Sequence, residues 1–598
     1  MKKVLYILAA TIMVAACEMD FYRSDTMTSN MLKADPGAAV YTTDGLYSMF
    51  KDVLLFEGTE YSNNTWVKHY FQLTEFRGDN VAQGRASEDP FTNIMNYDDD
   101  NTLYNLGYFW YVSYKILFGA NSNIEAIKEG TTAEGDLLLG ENYFIRAFVH
   151  FALANIYAKP YYVEGRGTNE NEPCVVLRNS TDCSVTEKAT VGKVYDQVEA
   201  DCKKAYELLK DKTPRGNKSF VNEAAPLALL SRLYLYKGDW DKCIEVSNQL
   251  LGDDPASHLD PDLANYFVNA EDSKETIWCI ARRLTDYQYS QHAQLGSMYY
   301  SSTGVGGIGW CEIYTSEQLL DLLFRWPDDG RRKAYFAYAA PIEGQYMVSW
   351  PDAKGGLDYR LDVMVTSTKV DDGGGNFHYE PNVIPNTDGT FSVTVGGKNY
   401  TIKKTTVNKD VKYYIEGYAT DAEDDDDIVG GTRVFVRTAQ DNAKGTRLTM
   451  PAYMNTKFAG KSGTDEELLS SNVFFRYGET ILNAAEAYAH KNDAVNAIKY
   501  MNYVRSRAGL TGDALYTTAN LTDSGYDNVL DAVLDERRIE LMYEGFRGYD
   551  LYRNGKDIFR KYAGVHKWEV IPNAALDTTF PVCIPYAETA ASGVTSNK

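Results

Sequence analysis

Residues 536–555 read ERRIELMYEGFRGYDLYRNG, and the interpretation of this stretch decides the fold. Good helix formers, with no Pro or Gly before Gly545, predict a helix over about 528–543. The apolar positions Leu530, Val533, Leu534, Leu541 and Met542 fall near helical spacing, and Arg537 and Arg538 interrupt their stripe. Charge therefore lies close to a buried face. Glu536, Glu540, Glu544 and Asp550 stand against Arg537, Arg538, Arg547 and Arg553, and a guanidinium fork can hold a carboxylate bidentately. The favoured reading is an ion-pair ladder that locks a helix to the turn after it. A catalytic carboxylate is disfavoured, because every acid has an arginine within reach to keep its pKa low.

The order E-R-R-x-E-L-x-x-E-G-x-R-x-x-D-L-x-R-x-G resembles the C-terminal signature of the SusD/RagB family, outer-membrane lipoproteins with which Bacteroidota capture nutrients. Further stretches resemble the same family. They are R-Y-G-E-T-I-L-N-A-A-E-A at 476–487, R-A-F-x-x-F-x-L at 146–153, F-R-G-D-N at 76–80 and I-P-x-x-E at 584–588, although the usual Asn/Pro-rich ending is absent. The resemblance implies a predominantly α, SusD-like fold with tetratricopeptide-like helix pairs and an irregular, partly β, loop-rich lobe. It further implies a signal peptide over 1–16, a lipid-attached tether over 17–30 and a single domain over 31–598. The helical scaffold is expected at about 100–251 and 473–555, and the loop-rich, ligand-facing parts at about 55–98, 255–463 and 556–598.

The amino terminus carries Lys2 and Lys3 and then an apolar run ending in V-A-A-C at Cys17. The run is too short to span a bilayer and has the layout of a secretory signal. Ala15 and Ala16 before Cys17 resemble a lipobox, so Cys17 is the expected lipidation site, with multiple acyl chains giving a stable membrane anchor. Glu18 and Asp20 resemble the acidic tag that sends such lipoproteins to the cell surface. A net charge of −23 disfavours nucleic-acid binding, which needs basic surface against phosphates. Among the eight cysteines, acylation of Cys17 leaves an odd number. Cys174 and Cys183 form the one local candidate pair, while Cys202, Cys243 and Cys279 sit in apolar runs and read as buried thiols.

Along the chain, an early helix is expected within 35–54, and 61–71, YSNNTWVKHYF, reads as an irregular aromatic surface loop. A long helix is expected over 103–127, in which the resemblance implies that Trp110 is a buried scaffold tryptophan, and another over 140–160, stopped by Pro160. Thr190 is placed to cap a helix. Residues 224–251 and 473–510 each resemble a tetratricopeptide helix pair, with breaks at Gly238 and at 491–493. Between them, 255–463 is rich in Gly and Asp and strand-like in places, with Gly396 and Gly397 suited to a tight hairpin. Loops on a rigid framework commonly carry specificity.

Catalytic motifs are missing: there is no H-E-x-x-H and no G-x-S-x-G, and the run at 304–309, GVGGIG, opens no strand-turn-helix unit. No cofactor is expected. The acidic run at 421–427, DAEDDDD, raises calcium, yet it lacks the ligand spacing of an EF-hand loop and reads as a solvated acidic loop. What stands out is 46 tyrosines, many in polar, glycine-rich surroundings. Sugar rings lay apolar C–H faces on aromatic planes, so the candidate ligand-binding residues are Trp66, Tyr70, Tyr287, Tyr289 and Trp310, with Asn80 as a hydrogen-bonding partner. If each platform covers roughly 50 Å² of ring, burial contributes on the order of 1–2 kcal/mol, which suits weak capture and release.

By resemblance, the chain is expected to bind oligosaccharide without catalysis and deliver it to a SusC-like TonB-dependent transporter in the outer membrane. A peptide-capturing member of the same family is one alternative. A surface glycoside hydrolase is another, since that chemistry needs only two placed carboxylates among 83 acids. A repeat-protein assembly scaffold is the last.

Overall fold

The computed structural model describes residues 37–60, 63–83, 91–287, 293–299, 313–326, 328–337, the strands lying between 346 and 451, 454–461, 464–560 and 570–597. Helices dominate. Helix α1 (Ala38–Lys51) leads to α2 (Trp66–Glu75), whose start is fixed by Thr65, the hydroxyl of which accepts the backbone N–H of Lys68. After strand β1 (Val81–Gln83) come the two longest helices, α3 (Tyr104–Ala126) and α4 (Ala133–Tyr157). Thr132 caps α4 by accepting from Gly135 N at 2.9 Å, and Glu134 and Asp136 suit the positive end of its dipole. Helix α5 (Val191–Leu209) starts at Thr190, as its sequence predicts.

The first predicted helix pair is α6 (Ala224–Lys237) and α7 (Trp240–Leu251). Gly238 turns between them in the left-handed region, at φ +73°, where a side chain is disfavoured. Strand β2 (Thr276–Ile280) follows, and β3 (Ile313–Thr315) pairs antiparallel with β1. An antiparallel meander is then formed by β4 (Val383–Pro385), β5 (Phe391–Val395), β6 (Lys398–Val407), β7 (Asp410–Glu416) and β8 (Gly431–Val434). Its β5–β6 register sets Val395 opposite Lys398, while Gly396 and Gly397, expected to form a tight hairpin, lie outside the described residues. Strand β9 (Asn472–Arg476) pairs with β2 and is continuous with α8 (Tyr477–His490). Helices α9 (Ala494–Arg507), α10 (Val529–Glu540) and α11 (Arg547–Arg553) follow, and α12 (Tyr586–Ser592) lies near the end.

The two helix pairs are joined although more than 200 residues separate them in sequence. Ser231 on α6 meets Ser247 on α7 at 2.8 Å and accepts from Asn483 Nδ2 on α8 at 3.1 Å, so small side chains let the three helices approach. Arg232 clamps Glu479 across the same seam with two hydrogen bonds, at 2.6 and 2.7 Å. Beneath, the β2–β9 ribbon is buried along its length, and Trp278 packs edge-on against Phe144 and Phe148 of α4. Among the described residues no helix is long and apolar enough to cross a membrane.

Two sequence expectations are corrected. The segment read as an aromatic surface loop forms α2 from Trp66 onward, because Thr65 supplies a cap and α2 turns Trp66, Val67 and Phe71 into the core. The first residues of the second predicted helix pair, 473–476, form strand β9. A short apolar run does not distinguish strand from helix, and its partner β2 lies far away in sequence.

Candidate functional site

The signature stretch is structural. Helix α10 begins where Asn528 accepts from Asp531 N at 2.9 Å, and the chain leaves the helix through Tyr543 (φ +66°) and Gly545 (φ +86°). Glu540 accepts from Arg476 at 2.7 Å, from Arg331 at 3.0 Å and from Arg507. Burial alone would raise its pKa, but the guanidinium groups of Arg507, Arg476 and Arg331 outweigh it and hold the carboxyl well below the usual range. Arg553 grips Glu486 bidentately at 2.6 and 2.7 Å and also reaches Asp550 at 2.7 Å. The ladder expected within the stretch is thus a network binding α10 and α11 to distant parts of the chain. A carboxylate so paired is a poor general acid.

The candidate ligand residues do not assemble into one platform among the described residues. Trp66 is fully buried: its ring stacks on Tyr70 at 5.3 Å and on Phe109 at 4.9 Å, and its Nε1 donates to Ser113 at 2.7 Å. It has no face to offer a sugar. Tyr70 packs edge-on against Phe71 and Phe474 in the same interior. Asn80 is buried as well, donating to Glu75 at 2.9 Å and accepting from Arg538 at 2.9 Å, so its amide joins the signature network to α2. Tyr287 is exposed, and its hydroxyl donates to the Glu60 carboxylate at 3.1 Å. Tyr289, Trp310, Cys17 and the 421–427 acidic run lie outside the described residues. The proposed Cys174–Cys183 pair is not formed: Cys174 is a buried free thiol in a strand, whereas Cys183 is exposed. Cys202, Cys243 and Cys279 are buried free thiols, as expected.

A different aromatic site is built on α3. One side of this helix carries Leu106, Phe109, Val112, Ile116 and Ala120 into the core, and Gly107 and Gly119 admit Phe56 and Leu46 closely against its backbone. The opposite side would ordinarily be polar. Here it presents Tyr111, 40% exposed, and Phe118, 49% exposed. Trp110 and Tyr114 lie deeper, 4.8 Å apart, and the Tyr114 hydroxyl donates to Val176 O at 2.9 Å.

The facing wall comes from the chain end. Cys583 N donates to Asp99 at 3.0 Å and Tyr586 N to Asn101 O at 2.7 Å, which brings α12 alongside α3. Trp110 Nε1 then donates to Glu588 Oε2 at 3.3 Å, and Ser592 donates to Glu588 Oε1 at 2.6 Å. Tyr586 stands 62% exposed at the rim. A tight turn completes the third side: Phe56 and Thr59 exchange two backbone hydrogen bonds of 3.0 Å around Glu57 and Gly58, both at positive φ. That turn inserts Phe56 beside Tyr104 at 5.2 Å and Tyr111 at 5.4 Å.

The groove has a volume of about 690 Å³, and Tyr114, Phe118, Cys183 and Glu588 also line an adjoining chamber of about 140 Å³. A groove of this size, apolar along its length with a few polar groups at its edges, is the usual form of a small-ligand site. The sequence placed Tyr104, Trp110 and Tyr114 in a helix but did not separate the outward aromatics from the inward ones. The available signal was the seven-residue recurrence of Tyr104, Tyr111 and Phe118, out of phase with the apolar face.

Comparison with known proteins agrees with the scaffold. The family model described as "SusD family" matches residues 274–581. The chain belongs to the SusD family. A second model, "Starch-binding associating with outer membrane", matches residues 48–235. SusD-like protein P2 of Formosa agariphila is 23% identical over 524 residues, covering 86% of this chain and 82% of the relative. Among solved structures, a SusD superfamily protein from Bacteroides thetaiotaomicron VPI-5482 superposes with a TM-score of 0.64 at 20% identity, covering 94% of this chain and 99% of that one. A laminarin-binding SusD-like protein superposes at 0.55 with 18% identity, covering 93% and 98%. These likenesses establish a predominantly α, SusD-like fold.

Proposed function

We propose that this SusD-family chain is a cell-surface, lipid-anchored protein that captures oligosaccharide and passes it to a SusC-like TonB-dependent transporter, without chemical conversion. The observation that carries the reading is the open, aromatic-lined groove between α3 and α12, which offers ring faces to C–H surfaces and edge groups to hydroxyls. The family description as starch-binding and outer-membrane-associated supports it, as does the laminarin-binding relative. Cys17 anchors the mature chain to the membrane, and no cofactor is required.

Each ring covered by a sugar contributes on the order of 1–2 kcal/mol. Against the cost of association, a few such contacts give an affinity of about millimolar to micromolar. Weak binding of this kind releases cargo readily to a transporter.

Calorimetric titration of the soluble chain, begun at Glu18, with oligosaccharides and peptides tests the reading. Saturable sugar binding, with no new reducing ends after incubation, is the expected result. Peptide binding alone would move the protein to peptide capture, and released reducing ends would make it a hydrolase.

A further inference from the structure

Tyr104, Tyr111 and Phe118 recur every seven residues on one helix, and all of them line the groove. Seven residues advance an α-helix by about 10.5 Å. They fall only about 20° short of two full turns, so the three side chains run nearly in line along the axis. The positions that carry the rings are therefore evenly spaced along the axis, and Phe56 packs against the first two rings, Tyr104 and Tyr111.

Two units of an extended β-1,4-linked pyranose ribbon span the same length. In such a ribbon every second ring presents the same face to the same side. A helically curved α-1,4-linked chain turns its rings away from a straight ladder. Resting on the oligosaccharide-capture reading above, the geometry points to a straight, uncharged β-1,4-linked glycan lying along α3, with alternate sugars on Tyr104, Tyr111 and Phe118.

Charge along the groove agrees with a neutral ligand. Glu57, Lys115 and Glu588 line the main chamber and Arg178 the adjoining one, in a chain of net charge −23, so a polyanion meets no surplus of positive charge there. Lys115 Nζ stands 5.7 Å from the Tyr111 ring centre, placed to donate to hydroxyls of a sugar stacked beside it. Glu57, on the tight turn, adds acceptors on the Phe56 side.

The ladder makes affinity a stepped function of ligand length. A trisaccharide covers two rungs and a pentasaccharide covers three. Calorimetric titration of the full mature chain, using β-1,4-linked gluco-oligosaccharides of two to six units, malto-oligosaccharides of equal length and polygalacturonate, reads this directly. The expected result is an affinity gain of about tenfold from three to five units and little more at six.

Phe118→Ala should remove that gain, so that three and five units bind with equal affinity, whereas Phe118→Tyr, which keeps a ring, should retain it. Phe118 is half exposed, so both variants are expected to fold, which circular dichroism verifies. Equal or tighter binding of malto-oligosaccharides, a smooth rise with length, or a preference for polygalacturonate would overturn the ladder while leaving oligosaccharide capture standing. Absence of saturable binding by every oligosaccharide would overturn both.

Discussion

Glu540 shows how much of the fold depends on single charges. It is buried and accepts from Arg331, Arg476 and Arg507, which arrive from three separate segments. Glu540→Gln keeps the volume and leaves the arginines short of a counter-charge, so it should destabilise the chain by about 3–5 kcal/mol in urea denaturation. Glu75 presents the opposite case. Burial, outweighing hydrogen bonds from Asn80 and Gly545, pushes its carboxyl up to about 7. The folded state therefore holds a proton that the unfolded chain releases near pH 4.5, and this group's contribution to stability falls as pH rises from about 4.5 to 7. Glu75→Gln removes the buried charge. Relative to the parent, it should gain about 3 kcal/mol between pH 4.5 and pH 8, measured by urea denaturation at both values. An unchanged difference between parent and variant would mean that Glu75 is ordinarily ionised. At this scale the sequence disclosed the arginine and glutamate partners of 536–555 but not those at 79, 331, 476 and 507. Sequence spacing carries no information about which distant guanidinium meets which acid.

Helices were the most legible elements, and their punctuation explains why. Thr190 and Gly238 act where their chemistry predicts, one accepting from a first-turn N–H and the other adopting positive φ. Gly238→Ala should be costly for two reasons: left-handed backbone, worth about 1–2 kcal/mol, and a new methyl 2.9 Å from the Tyr162 ring. Gly130→Ala has the same φ of +73° with open space around it, so it should incur the backbone cost alone. Thermal denaturation of the two variants separates these terms, and equal losses would contradict the packing argument. Elements defined by remote partners were harder to read. Strand β9 looks helical until β2 pairs with it, and α2 looks like a loop until Thr65 is recognised as its cap and Trp66 as core.

The whole molecule is a helical scaffold whose aromatic residues serve two ends. Most, including Trp66, Trp278 and Phe148, fill the interior, which is why composition alone did not separate packed aromatics from exposed ones. The groove was not legible because it exists only when residues 104–118 of α3 meet residues 585–588 across nearly the length of the chain. Helix α12 contributes no buried residue, so Tyr586→Ala should leave stability nearly unchanged while weakening oligosaccharide binding several-fold, as read by calorimetry. The central claim is that ligand is captured between α3 and α12. A crystal structure of the mature chain soaked with a saturating β-1,4-linked pentasaccharide tests it most directly. The account predicts sugar density along α3, with alternate rings over Tyr111 and Phe118 and Tyr586 at the rim. Density seated at another surface, with this groove empty, would contradict it.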